Sequence, residues 1–291
     1  MNYSKCFILA GKECEERCLF CPYTSDYNEI LEPPLSGSKI KETSNEVKDL
    51  AADKNRKLLT ISGKNPFSSD NTLKLIDDNF NKFEKIIISA PGYSFLDLDL
   101  LEKLEKYKEK LVLKITVLSH RRDVHDLITS TKDSWSKSCK GILLLKKKGF
   151  DVRISTVITK INYFYLKEMP FFVKTLGLNE WEISYPKPLG KALDNIEMLM
   201  PSIDMALPLI EECLYQASKN DITAFIKNIP VCLVKKATAK ELNADFNDEN
   251  SIFEKSPNCK ECLKNAECKG FFKEYFKMFD IKPNELLDPI K

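Results

Sequence analysis

Short apolar runs alternate with longer segments whose apolar residues recur every third and fourth position. The runs are SKCFILA (4–10), KLLTIS (57–62), EKIIISA (84–90), LVLKITVL (111–118), DVRISTVIT (151–159) and EWEISYP (180–186). Most carry Val, Ile or Leu in succession, as strands buried on both faces do. Helical spacing fills the intervals at 44–55, 71–83, 97–110, 136–149 and 166–177, and glycine closes the last two. Six β-α repeats within roughly 190 residues predict an α/β fold: a parallel sheet with right-handed crossovers. A partial barrel and an open doubly wound sheet both fit. In either, ligands sit at the C-terminal ends of the strands.

After residue 190 the rhythm stops. PSIDMALPLIEECLYQASKN (201–220) reads as a helix starting near Ser202, which Pro208 should break or kink. The polar stretch 235–258 reads as loop. A boundary near residue 200 is expected, separating the α/β domain (1–200) from a small cysteine-rich extension (201–291).

Composition narrows the function classes. The 291 residues carry 45 Lys and Arg against 43 Asp and Glu, a formal net charge of +2, which gives no nucleic-acid footprint. The N-terminal apolar run is short and soon followed by charge, unlike a signal peptide. No stretch approaches the ~20 apolar residues of a membrane span. A cytoplasmic location is expected. Ten cysteines in a reducing compartment point to metal binding or catalysis rather than disulfides.

Three of them, Cys14, Cys18 and Cys21, follow the first strand in CEERCLFCP, spaced C-x3-C-x2-C. Three thiolates on one loop can hold three corners of a cubane iron–sulfur cluster, leaving the fourth iron open to bind and activate something. A zinc site with a distant fourth ligand is the alternative. A second group, Cys259, Cys262 and Cys268, is spaced C-x2-C-x5-C, and Cys232 upstream makes four. Four thiolates suit either zinc or an iron–sulfur cluster. Cys139 and Cys213 fall in helical patterns and read as buried. His120 and His125 are the only histidines, and His125 reads as a helix cap or surface residue.

The segment CEERCLFC, with Phe20 as its aromatic, resembles the C-x3-C-x-aromatic-C signature of radical S-adenosylmethionine enzymes. The resemblance extends over roughly 4–190 and implies a partial (β/α)6 TIM-like barrel. It implies that the open iron of a [4Fe-4S] cluster chelates S-adenosylmethionine, and that an electron from a flavodoxin or ferredoxin cleaves it to a 5′-deoxyadenosyl radical. The family's Gly-Gly-Glu-Pro after the second strand is SGKNP here: Gly63 and Pro66 suit the turn, the glutamate is missing, and Ser62 with backbone carbonyls is the expected substitute. Thr116 and Ser155 fall where family members contact the ribose and nucleoside. The tail resembles SPASM and Twitch extensions; its four cysteines fit the shorter Twitch type, with one auxiliary [4Fe-4S] cluster.

Such tails imply an oxidoreductase or maturase that oxidises, crosslinks or epimerises a ribosomal peptide. With the triplet starting at position 14, a leader-recognition domain has no room before it, so a separate leader-binding protein or another docking surface is expected. A small-molecule radical dehydrogenase or cyclase is the second reading. A zinc-stabilised binding module without catalysis is the third. SYPKPLGKA (184–192) is expected to contribute to the substrate pocket.

Overall fold

The computed structural model describes residues 4–11, 13–23, 56–234, 240–242, 252–266 and 268–290. The helix expected over 44–55 lies outside them, as does much of the polar stretch 235–258. The chain forms two compact units. One comprises Met1–Cys18, Tyr23–Val117 and His125–Ile154; the other comprises Leu19–Pro22, Leu118–Val124 and Ser155–Lys291.

In the first unit β1 (Ser4–Ala10), β2 (Arg56–Gly63), β3 (Lys85–Ala90) and β4 (Leu111–Thr116) pair in parallel, each with its successor. The register sets Ile8, Ile61, Ile88 and Leu113 side by side. Ile61, Ile88 and Leu113 are fully buried, and each such side chain contributes roughly 1.5–3 kcal/mol. Helices cover them. In α1 (Asn71–Asn79) the buried residues Thr72, Leu75, Ile76 and Asn79 make one stripe at helical spacing. The Asp97 carboxylate caps α2 (Leu98–Leu104) by accepting from the amides of Asp99 and Leu100. Then follow α3 (Arg122–Thr129), which crosses the division between the units, and α4 (Ser134–Lys147). Cys139 is buried in α4, as its helical pattern predicts, and burial pushes its thiol up to about 12.

β5 (Asp151–Val157) carries the chain into the second unit. There β6 (Glu180–Ser184), β7 (Thr223–Lys227) and β8 (Lys240–Leu242) pair in parallel. Strands β1 to β8 thus follow chain order, an α/β fold. The last two strands go beyond the six predicted: the rhythm resumes after an interruption. Helices α5 (Met169–Thr175), α6 (Lys191–Asp194), α7 (Ile196–Leu199) and α8 (Ile203–Lys219) occupy the intervals.

Pro208 lies inside α8, so it does not break the helix. It removes one backbone donor, while the stripe Ile203, Ala206, Ile210, Cys213, Leu214 and Ala217 stays buried on either side of it. Ser202 caps the helix from the Met205 amide, where the sequence places its start. The tail adds the antiparallel pair β9 (Phe253–Glu254) and β10 (Phe271–Phe272), then α9 (Lys273–Phe279) and α10 (Pro283–Leu286). Phe271 is fully buried, with its ring 5.3 Å from Tyr185 and 4.8 Å from Tyr275. The Tyr275 hydroxyl accepts from the Ile203 amide that opens α8. Among the described residues no helix is long and apolar enough to cross a membrane.

Candidate functional site

The loop after β1 alternates like a strand. Glu13, Glu15 and Arg17 are exposed, while Cys14, Glu16 and Cys18 are half-buried. The amides of the exposed set are tied outward: Glu13 to Ser68 Oγ at 3.2 Å, Glu15 to Tyr93 Oη at 2.9 Å, and Arg17 to the Thr129 carbonyl at 3.1 Å. The Glu15 carboxylate also meets Lys137 Nζ at 3.2 Å. This tethering turns two of the three triplet thiols to the opposite side from the exposed residues. Glu16 shares that side, and its carboxylate accepts from Cys18 Sγ at 3.6 Å. Burial pushes Glu16 up to about 7, against the opposing pull of Cys18 and Lys137.

The turn after β2 lies against the same loop. Gly63 stands opposite Ala10 in register, with φ +146°, and a Cβ there would fall 2.0 Å from the Ala10 carbonyl oxygen. Only glycine tolerates both the backbone and the approach. Ser62 Oγ lies 3.3 Å from the Tyr23 hydroxyl. Asn65, just before Pro66, is buried and fully used. Its Oδ1 accepts from the Phe67 amide and the Ser94 hydroxyl, and its Nδ2 donates to Tyr93 Oη at 3.3 Å. Tyr93 Oη in turn donates to Cys14 Sγ at 3.6 Å. Burial pushes this hydroxyl well above the ordinary tyrosine range, so it keeps its proton.

Phe20 and Cys21, both half-buried, belong to the second unit with Leu19 and Pro22. Their backbone is held by Lys191, in the segment expected to contribute to the substrate pocket, and by Asn195 just beyond it. The Lys191 amide donates to the Cys21 carbonyl at 3.0 Å, and Asn195 Nδ2 to the Leu19 carbonyl at 3.3 Å. Gly190, at φ +54°, permits this: a Cβ there would sit 2.9 Å from the Cys21 carbonyl oxygen.

Thr116 ends β4 in the first unit and is partly exposed. Ser155, in the second, is buried and donates to Glu182 Oε1 at 3.2 Å. Nothing in the sequence marked Glu182, which is only 3 % exposed. The buried Asn162 was also missed. It donates to the Leu118 and Val157 carbonyls and accepts from Thr159, which fastens two strand ends together. His125 is neither a cap nor on the surface: it lies inside α3, fully buried, and burial pushes its imidazole down to about 4. The helix starts three residues earlier than the HD pair suggested. His120 packs edge-on to Tyr165, ring centroids 6.2 Å apart.

In the tail, Cys232, Cys259, Cys262 and Cys268 are all half-buried. Burial pushes the Cys232 thiol up to about 11, and Cys268, Cys259 and Cys262 each add to the rise. Two backbone amides point at sulfur: Gly270 at Cys268 Sγ, 3.3 Å, and Asp288 at Cys232. Among the described residues no three Cys, His, Asp or Glu side chains are drawn in closely enough to grip a single metal ion. The donor set fits iron–sulfur ligation: soft thiols on short loops, with amides directed at them.

A family model described as the radical SAM superfamily matches residues 8–174. The antilisterial bacteriocin subtilosin biosynthesis protein AlbA of Bacillus subtilis (strain 168) is 25% identical over 181 residues, 62% of this chain. The chain spans 39% of AlbA's length. Among solved structures, Streptococcus suis SuiB bound to S-adenosylmethionine matches with TM-score 0.67 at 12% identity, over 97% of this chain and 75% of SuiB. SuiB has also been solved bound to its precursor peptide SuiA. Native anSMEcpe, with bound AdoMet and the Kp18Cys peptide, matches with TM-score 0.64 at 14% identity, over 98% and 93% of the two chains. At these identities the structural likenesses establish the fold.

Proposed function

The chain belongs to the radical SAM superfamily, and from that premise we propose that it modifies a peptide, using one cluster at Cys14, Cys18 and Cys21 and a second in its tail. When bound, the first cluster and S-adenosylmethionine supply hydrogen-atom abstraction through a 5′-deoxyadenosyl radical. The chain's own residues bind, orient and shield. The outward-tied amides of Glu13, Glu15 and Arg17 hold the first loop open on its thiol side. Ser62 and the Gly63 turn receive the methionine end. Phe20, Thr116 and Ser155 receive the nucleoside, with Glu182 fixing the Ser155 hydroxyl. Residues 201–291 form the auxiliary domain, in which Cys232, Cys259, Cys262 and Cys268 ligate the second cluster.

The observation that supports the two-centre reading is the tail's own donor set: Cys232, Cys259, Cys262 and Cys268 are all half-buried, and the Gly270 amide is directed at Cys268 Sγ. The peptide substrate is supported by the relatives, of which AlbA serves bacteriocin biosynthesis and SuiB binds a precursor peptide. A flavodoxin or ferredoxin supplies the electron. Small peptides encoded beside this gene, added to reduced enzyme with S-adenosylmethionine, are the decisive assay. A peptide mass change that accompanies 5′-deoxyadenosine is expected. Turnover with small alcohols and with none of these peptides would move the assignment to a small-molecule dehydrogenase. Stoichiometric zinc without iron after anaerobic purification would remove the radical reading altogether.

A further inference from the structure

A phenol has one proton to donate and two lone pairs with which to accept. At Tyr93 both acceptor positions face N–H groups: the Glu15 amide at 2.9 Å and Asn65 Nδ2 at 3.3 Å. Neither an amide N–H nor a carboxamide NH2 accepts in return. The phenolic proton is left for the remaining neighbour, Cys14 Sγ, at 3.6 Å.

Every part of this chain of bonds is anchored. Asn65 Oδ1 accepts from the Phe67 amide at 3.1 Å and from the Ser94 hydroxyl at 3.0 Å, which fixes the carboxamide with its NH2 toward Tyr93. Asn65 itself is only 7 % exposed. The Glu15 amide adjoins Cys14, so one hydroxyl ties both the backbone and the sulfur of that part of the loop.

We propose that Tyr93 is a positioning residue that donates a hydrogen bond to the Cys14 thiolate and raises the reduction potential of the cluster held there. The proposal rests on the reading that Cys14, Cys18 and Cys21 ligate that cluster. Hydrogen bonds to ligand sulfur stabilise the more electron-rich, reduced cluster, and are one of the terms that set its potential. A donor directed at a charged acceptor is stronger than one between neutral groups. Asn65, between the Gly63 turn and Pro66, thus serves Cys14 through Tyr93.

The test is a redox titration of anaerobically reconstituted full-length protein. Electron paramagnetic resonance follows the signal that changes when S-adenosylmethionine is added. Tyr93→Phe keeps the ring and deletes the proton. A tenfold shift of the one-electron equilibrium toward the oxidised form is expected, about 59 mV lower, with the tail signal unmoved. Uniform replacement of tyrosine by a ring-fluorinated analogue makes the phenol a stronger donor and should raise the same midpoint. That rise should vanish in the Tyr93→Phe background. A purely structural role predicts neither the opposite signs nor their common dependence on this position. An unmoved midpoint at full iron content in Tyr93→Phe overturns the proposal. If that variant fails to hold its cluster, an unmoved midpoint in the fluorinated wild-type chain overturns it equally. Absence of any S-adenosylmethionine-sensitive signal from the wild-type protein overturns the underlying cluster assignment, an outcome distinct from an unmoved midpoint.

Discussion

Cys18→Ala takes one of three thiols from the first loop and leaves the tail untouched. About half the iron should be lost, and release of 5′-deoxyadenosine by the dithionite-reduced protein should stop. Release at the wild-type rate would show that the active cluster lies elsewhere. Cys232→Ala tests the other centre. Closing the 27-residue separation from Cys259 costs entropy that a metal–thiolate bond offsets. The auxiliary signal should weaken or change shape while uncoupled 5′-deoxyadenosine formation persists. An unaltered auxiliary spectrum with full iron would exclude Cys232 as a ligand. His125 makes a separate pH prediction. Its folded value, about 4, lies below the ordinary 6.5 because burial opposes the charge. The unfolded chain therefore binds the extra proton first. Stability is fully present above pH 6.5 and falls by about 1.4 kcal/mol per pH unit as acid is added, until pH 4. Glu16, raised to about 7, has the opposite sense, gaining stability as pH falls. The His125 contribution is therefore read as the difference between wild type and His125→Gln in denaturant midpoints across that range. Parallel profiles would show that His125 is accessible to protons in the folded state.

At the junction of β1 and β2, Gly63→Ala places a methyl against the Ala10 carbonyl on a backbone that L-residues avoid. A loss of about 1–3 kcal/mol is expected from the strain alone, read as a lower urea midpoint. An unchanged midpoint would mean that the turn relaxes freely. Strands β1 to β6 were legible because most are runs rich in Val, Ile and Leu, and those of β3 to β6 are buried on both faces. β1 falls at 4–10, as read. β7, with five residues (TAFIK), and β8, with three (KEL), are too short to stand out once the preceding helices break the rhythm. Pro208 does not break α8 because the apolar stripe on either side of it, which the missing donor alone does not reveal, stays buried. The cysteine loop was legible as spacing. Its partners were not: Tyr93 lies 79 residues from Cys14, and no local pattern connects a tyrosine after β3 to a thiol after β1. Asn65 sat inside a segment already singled out, yet the value of its carboxamide depends on Ser94 and Tyr93, which only folding brings to it.

Of the ten cysteines, seven fall into two sets, one near each end of the sequence; Cys6 lies in β1, and Cys139 and Cys213 are buried in helices between the sets. Two four-iron clusters predict about eight irons per chain, measured after anaerobic reconstitution; about four would leave one set without a cluster. The register of the strands bears on how such a molecule is made. Each parallel pair described joins a strand to its immediate successor: β1 to β2, β2 to β3, β3 to β4, β6 to β7, β7 to β8. A nascent chain can therefore complete each pairing as it leaves the ribosome, without waiting for a distant segment. At about 5–20 residues per second, Cys259 is translated on the order of ten to fifty seconds after Cys21. During that interval the Cys14 end of the first thiol loop already has β1, β2 and Tyr93 to shape it, while the Cys21 end waits for Lys191 and Asn195 and the later thiols do not yet exist. Two clusters, one at each set, would therefore be filled on different schedules along one polypeptide.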